Sequence, residues 1–298
     1  MNTSGLYTAT EVPPRGGTRP TSPCRPGPLT RWLGHMTLRM ANHVLILVVL
    51  FACGRMNGAE LKSEANLPSS VDLRPAFEKW GLAGRQQGDR PTCSAFTMAG
   101  ALEFAAAKQQ GHGTRLSVEF LNWAANKAGG GAADGGFFSD LWKGFSACGI
   151  CVEEDMPYQA KFDPAQSPSA AALADAKTRL ALGLRLHWIK EWNVNTGLTD
   201  EQLSAIKHVL SQGWPVCGGL RWPKQEQWQD GVLQMCPSNT VRDGHSVLLV
   251  GYRDEAAQPG NGVFLFRNTS RDGRDGEMPY GYAQAYMNDA VWVDYEGK

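Results

Sequence analysis

Residues 86–96 read QQGDRPTCSAF, and Cys93 is the residue from which the rest of the chain is interpreted. It stands directly after a turn. From Cys93 to Gln110 the residues are mostly good helix formers, with Ala95, Met98, Leu102 and Ala105 at the spacing of one helix face. Thr92 is placed to cap that helix. A cysteine in a first helical turn faces backbone N–H groups, whose partial positive charge favours thiolate over thiol. A neighbouring imidazolium would lower its pKa further from the free value of about 8.5, making a nucleophile available near neutral pH.

Such a thiolate needs a proton carrier for the leaving group, and histidine has the ordinary pKa that suits the exchange. Of the six histidines, His35 and His43 lie in the first sixty residues and His112 sits between glycines. His187 and His208 fall in a strand and a helix of ordinary pattern. His245 stands apart in DGHSVLLVGY, where Gly244 leaves room beside it and the apolar strand behind it is a rigid mount. Asn268 ends the next apolar strand, VFLFRN. A hairpin of the two strands would bring its amide oxygen to the imidazole and hold the ring in one tautomer.

Around these positions the chain alternates helix and strand signals. LPSSVDLRPAF opens the folded region at Leu67, with Pro68 and Pro75 favouring extended backbone. Gly111 and Gly113 end the first helix. LSVEFLNWAANKA, from Leu116, reads as a second helix closed by Gly129, Gly130 and Gly131, and a third covers Ser139 to Ala147. A further helix spans Ala170 to Leu182, LRLHWIKEW is a strand, and Thr199 with Gln202 forms a capping-box start for a helix ending near Gly213. Helices first and strands second is the order of an α+β protein with two unlike lobes. The helical lobe covers about residues 67–168 and the β-rich lobe about 169–298.

Composition narrows the function. At 298 residues with 42% hydrophobic content, 10 Trp and 11 Phe, the chain has the apolar surface to fold, as one large domain or two halves sharing a cleft. Basic and acidic residues balance at 29 each, which argues against a nucleic-acid or anionic-membrane partner. The seven cysteines are not a disulfide scaffold of the short-chain kind. In an oxidising compartment Cys148, Cys151, Cys217 and Cys236 can form two bridges in three connectivities. No histidine or second C-x-x-C sits at ligand spacing, so no metal site is expected, and the chemistry above requires no cofactor.

Residues 1–35 are rich in Pro, Gly, Thr, Ser and Arg without apolar periodicity, and read as disordered or as sequence upstream of the true start. Residues 36–59 read as an export signal. Val44 to Cys53 is a ten-residue uncharged apolar run behind Arg39, with Met36 and Met40 as alternative starts. The run is well short of the roughly 20 residues a spanning helix needs. An exported protein, periplasmic or extracellular, is therefore expected. Membrane attachment enters only through a lipid anchor at Cys53, whose plainer reading is a small residue ending the apolar run.

The ordered motifs of residues 67 to 295 resemble the papain family of cysteine peptidases. LPSSVDLR is similar to the start of a mature domain of that family. Gln87 precedes Cys93 by six positions, as the family's oxyanion-hole glutamine precedes its nucleophile, and Glu103 also matches. Asp134 to Gly136 resembles the glycines along which substrate backbone lies, which implies a substrate-binding role for Gly135 and Gly136. EEDMPY resembles the acidic segment before Pro-Tyr, and DGHSVLLVGY and FRN resemble the histidine and asparagine strands. GYAQAY, Gly281 to Tyr286, resembles the final glycine-tyrosine strand. The resemblance implies a two-lobed fold with the active site in the cleft. Cys93, His245, Asn268 and Gln87 would then act together on a peptide or protein substrate.

Two departures stand out. The first cysteine and the following tryptophan of the usual Cys-Gly-Ser-Cys-Trp run are both missing, and the loss of the tryptophan resembles a bacterial-type branch of the family. Ser270 replaces the tryptophan that shields the asparagine, which implies a wetter and weaker hydrogen bond to His245. No inhibitory propeptide of the usual length fits between Ala59 and Leu67.

Taken singly, Cys93 is a small buried residue, His245 a structural histidine, Asn268 a turn former, Gln87 a loop residue and Gly135 and Gly136 turn glycines. Their joint order favours cysteine-dependent peptide-bond hydrolysis. Two other functions fit parts of the pattern: a papain-fold binding protein that has lost turnover, and a thiol oxidoreductase using Cys148 and Cys151.

Overall fold

The computed structural model describes residues 67–270 and 275–296. The upstream segment, the export signal and Cys53 lie outside them. Among the described residues no helix is long and apolar enough to cross a membrane.

Strand β1 (Ser70–Asp72) leads into helices α1 (Arg74–Lys79), α2 (Cys93–Gln110), α3 (Val118–Gly129), α4 (Phe138–Cys148) and α5 (Ala170–Leu180). There follow β2 (Leu184–Lys190), α6 (Asp200–Ser211), β3 (Val216–Pro223), β4 (Trp228–Gln229), β5 (Val232–Leu233), β6 (Val241–Asp254), β7 (Gly262–Arg267) and β8 (Asp275–Pro279). Helix α7 (Tyr280–Tyr286) and β9 (Met287–Tyr295) complete the set. The strands form one sheet in the order β2-β9-β3-β6-β7-β8-β5-β4, with β1 also paired to β6. All pairings are antiparallel except β5 with β8. The mixed α+β architecture expected from sequence is the one observed.

Strand β6 explains why VLLV is a continuous apolar run. Leu248 and Val250 pack on one side with α2 residues such as Ala101 and Leu102, while Val247 and Leu249 join the other core with Trp222, Phe264 and Phe266. A strand covered on both faces has no polar side to show. Helix α2 is likewise buried all round rather than on the single face its spacing suggested. Its many alanines let α3, α4, β3, β6 and β9 approach it closely.

Several local readings change. The Thr92 side chain does not cap α2; its hydroxyl donates instead to the Tyr158 oxygen (2.6 Å), whose own proton goes to the Gln87 carbonyl (2.9 Å). GYAQAY is helix α7 and not a strand. Pro279 is its N-cap residue, Tyr282 and Tyr286 bury their rings together, and the last strand begins only at Met287. Helix α5 packs Ala172 and Ala176 against Phe120 and Ala124 of α3, so by contact it groups with the helices, ahead of the first long strand at Leu184. The Thr199–Gln202 capping box of α6 forms as read. Among the described residues no disulfide forms: Cys93, Cys148, Cys151, Cys217 and Cys236 are all free. Cys217 is enclosed under α2 with its thiol toward the Thr97 carbonyl, while Cys151 sits in the separate α3–α5 core, so the fold keeps these cysteines apart.

Candidate active site

Cys93 opens α2, and a buried arginine holds the turn before it. Arg90 is 5% exposed and donates to Glu119 Oε2 (2.5 Å), Asp134 Oδ1 (2.8 Å) and the Gln159 carbonyl (2.8 Å), with its guanidinium over the Tyr158 ring. The loop carrying Gln87 is fastened to the strand β7 end. Gln87 N–H donates to the Thr269 carbonyl (2.7 Å), the Thr269 hydroxyl donates to Gln87 Oε1 (2.9 Å), and Gln87 Nε2 donates to the Arg90 carbonyl (2.8 Å). An amide nitrogen carries two protons, so the second remains for a ligand.

On the sheet, His245 Nε2 lies 3.0 Å from Asn268 Oδ1. The backbone N–H of Ser270 donates to the same atom at 3.1 Å. An atom that accepts from a backbone N–H is the amide oxygen, so Nε2 must carry the imidazole proton and Nδ1 is left as the basic nitrogen. The wetter pairing expected from Ser270 does not occur. His245 and Asn268 are both buried, and Trp222, from neighbouring β3, places its ring 4.5 Å from the imidazole. The cover missing at position 270 is matched by one at 222.

Cys93 and His245 line one cavity of about 370 Å³, together with Ser94, Gly136, Leu220 and Ser246 among others. The sulfur lies 3.9 Å from the carbonyl oxygen of Gly244, the residue before the histidine. Burial pushes the Cys93 thiol up, opposed by the backbone N–H and hydroxyl of Ser246 and by the backbone N–H groups of Ser94 and Cys93. Burial likewise pushes His245 down to about 4, against the raising influence of Asn268 and Glu226, with Arg242 lowering it further. Burial therefore works against both charged forms, opposing the pull toward thiolate expected from the helix position.

The two glycines separate in role. Gly136 lines the cavity, and its N–H approaches Ser94 Oγ (3.4 Å). Gly135 is needed for its backbone: φ is +84°, a Cβ there would fall 2.2 Å from the Pro91 carbonyl, and its N–H donates to Asn122 Oδ1 (2.9 Å). Sequence reading missed Ser246, Trp222, Tyr158 and Arg90. Arg90 and Tyr158 carried a faint signal, since both lie within motifs already singled out, QQGDRPTCSAF and EEDMPY. Trp222 carried none, because its neighbour across the sheet is set by strand order. Among the described residues no group of His, Cys, Asp and Glu is placed to hold a metal ion.

A helix-borne cysteine that shares a cavity with a sheet-borne histidine oriented by an amide is an arrangement of the cysteine-peptidase kind. The chain belongs to the papain family of cysteine proteases, whose family model matches residues 67–289. Its fold is similar to that of xylellain, a cysteine protease from Xylella fastidiosa. That match has 24% identity and TM-score 0.60, covering 78% of this chain and 88% of that one. Digestive procathepsin L 3 from the larval midgut of Tenebrio molitor matches at 21% identity and TM-score 0.57, covering 78% and 71%. The proform of Amb a 11, the ragweed pollen cysteine protease, matches at 20% identity and TM-score 0.55, covering 80% and 70%.

Proposed function

We propose that the chain hydrolyses peptide bonds with Cys93 as nucleophile. His245 Nδ1 accepts the thiol proton as sulfur attacks the scissile carbonyl carbon, and the carbonyl π electrons move onto oxygen. The Cys93 backbone N–H and the second N–H of Gln87 receive that oxyanion. Collapse expels the amine, which takes the proton back from His245, and leaves a thioester. Water, deprotonated by the same imidazole, releases the acid and restores the thiol. Asn268 keeps the ring in the working tautomer throughout. The observation that carries this reading is the shared Asn268 Oδ1, which commits Nε2 as donor and leaves Nδ1 basic on a residue lining the Cys93 cavity.

A binding protein without turnover is the second reading, motivated by the two missing tryptophans. The burial of His245 and Asn268, with Trp222 packed against the imidazole, weakens the motive drawn from position 270. An oxidoreductase role for Cys148 and Cys151 is disfavoured because burial raises both thiols, Cys151 to about 12, so neither is a ready thiolate. The missing tryptophan after Cys93 suits a bacterial-type member. Export through residues 36–59 rests on the apolar run Val44 to Cys53 alone.

An epoxide inhibitor of cysteine peptidases and a broad peptide library, applied to wild type and to Cys93→Ala, test the proposal. Wild type should be labelled at Cys93 and cleave the library; Cys93→Ala should do neither. A folded wild type that is neither labelled nor active leaves the binding-protein reading. Disulfide exchange surviving in Cys93→Ala would revive Cys148 and Cys151.

A further inference from the structure

One wall of the Cys93 cavity holds a carboxylate that the hydrolytic steps do not use. Ser246 of β6, Gly219 of β3 and Asp289 of β9 are register partners across three adjacent strands, so they share one sheet face. That face, which also carries Cys217 against α2, reaches the cleft at Ser246 beside Cys93. Two strand spacings, about 10 Å, then separate Asp289 from Ser246 across the sheet. Gly219 makes room between them: a Cβ there would fall 1.9 Å from Asp289 Oδ1 and 3.2 Å from Asn288 Oδ1. The absent side chain is thus replaced by two oxygens brought together at the cavity wall.

Asp289 is only 4% exposed, yet it lines the cavity. Its carboxylate takes a hydrogen bond from the Gly219 backbone N–H. Lys190, the cation whose field reaches it, donates its ammonium to Thr196 Oγ1 (3.0 Å) instead. Burial pushes the Asp289 carboxyl up to about 6, so at neutral pH it holds a charge that the protein solvates poorly. Away from Cys93, His245, Ser94 and Ser246, the walls are apolar: Phe138 and Leu220 are buried, while Phe137 and Trp192 meet edge to face at 5.2 Å and are each about half exposed at the rim. An acidic end behind aromatic and aliphatic walls suits a ligand with an apolar stem and a cationic tip.

We propose that Asp289, framed by Asn288 and Gly219, selects peptide substrates with a long basic side chain near the scissile bond. The stem lies against Leu220, Phe137 and Trp192, and the guanidinium or ammonium reaches the carboxylate. This rests on the peptidase reading above. A peptide's N-terminal ammonium has the same charge but no stem to fill a cavity of this size, which is why the side chain is the occupant chosen.

The test compares fluorogenic amides of acetyl-Arg-Leu, acetyl-Leu-Arg and acetyl-Leu-Leu, with their unacetylated forms, on wild type and Asp289→Asn. One of the arginine positions should be favoured over leucine at least tenfold in kcat/KM, with or without the acetyl group, and Asp289→Asn should shrink that ratio at least tenfold. An unchanged ratio in folded Asp289→Asn, a preference for leucine, or a basic preference confined to free amino termini overturns the proposal. If nothing is cleaved, the peptidase reading fails separately. Binding of acetyl-Arg-Leu and acetyl-Leu-Arg amides against acetyl-Leu-Leu amide, followed by tryptophan fluorescence of Cys93→Ala, then decides the role of Asp289. Tighter arginine binding that is lost on adding Asp289→Asn supports it, and equal binding refutes it.

Discussion

Asn268 Oδ1 sits 3.0 Å from His245 Nε2, and because it also accepts the Ser270 N–H it holds the imidazole proton on Nε2 and leaves Nδ1 basic. Replacing Asn268 by Ala removes both the orientation and an influence that raises the His245 pKa. Turnover should fall by at most the roughly 100- to 10,000-fold that a positioned acid–base group contributes. The acid limb of kcat/KM should also move to lower pH, because the unsupported imidazole protonates less readily. A variant with lower rate and an unmoved limb would assign Asn268 a packing role only.

Trp222 does for this pair what position 270 does not. Its ring lies over His245, and its indole N–H is fixed by Glu226 Oε1 at 2.7 Å. Trp222→Leu should admit water, relieve the desolvation that holds His245 near 4, and let its pKa climb toward 6.5. The loss of packing should cost about 2–5 kcal/mol, as for other large core truncations. Titration of the His245 ring by NMR, alongside urea unfolding, reads both effects. An unshifted imidazole in the variant would mean that other residues do the shielding.

Arg90 fastens the nucleophile's turn through two carboxylates buried with it, Glu119 at 3% exposure and Asp134 at the edge. Arg90→Met keeps the aliphatic bulk but leaves Glu119 uncompensated in the interior. A loss of about 3–5 kcal/mol in unfolding free energy is expected, because an orphaned buried charge costs more than the pair contributed. Reversing it with Glu119→Gln in the same chain should recover part of the loss. A double-mutant cycle without coupling would show that the network is incidental.

The positions proposed to carry the chemistry stand out in the sequence because each lies in a local pattern: a cysteine after a turn, a histidine before VLLVGY and an asparagine at the end of VFLFRN. Long helices were legible for the same reason, through spacing and capping residues. What escaped was set by partners distant in sequence. The Thr92 hydroxyl looks like a cap until Tyr158, 66 residues away, competes for it. GYAQAY carries aromatic and small residues that suit strand or helix alike, and its helix is decided by the tyrosine cluster it joins. The protonation states of Cys93 and His245 depend on burial, which no linear motif states. Asp289, inside an apolar strand, was the polar break whose meaning only the cavity reveals.

Asp289 and His245 also make opposite demands on stability as pH changes. His245 ionises near 6.5 in the unfolded chain and near 4 in the fold, so between those values the unfolded chain holds the extra proton. Stability is therefore lost as pH falls through that window, by on the order of 3 kcal/mol in full. For Asp289 the unfolded value is 3.8 and the folded value about 6, so here the fold holds the extra proton and stability is lost as pH rises through the window. The full swing is again on the order of 3 kcal/mol. In wild type the two largely offset each other between pH 4 and 6. Asp289→Asn removes one of them: the variant should be more stable than wild type by about 1–3 kcal/mol at pH 7.5 and lose that advantage toward pH 4. Its own stability should decline as pH drops from 6.5, where wild type stays nearly level. Urea midpoints at pH 4, 5, 6 and 7.5 give both curves. Parallel curves would mean that the Asp289 carboxyl is as well solvated in the fold as in the unfolded chain, and would remove the electrostatic basis for its recognition of a cation.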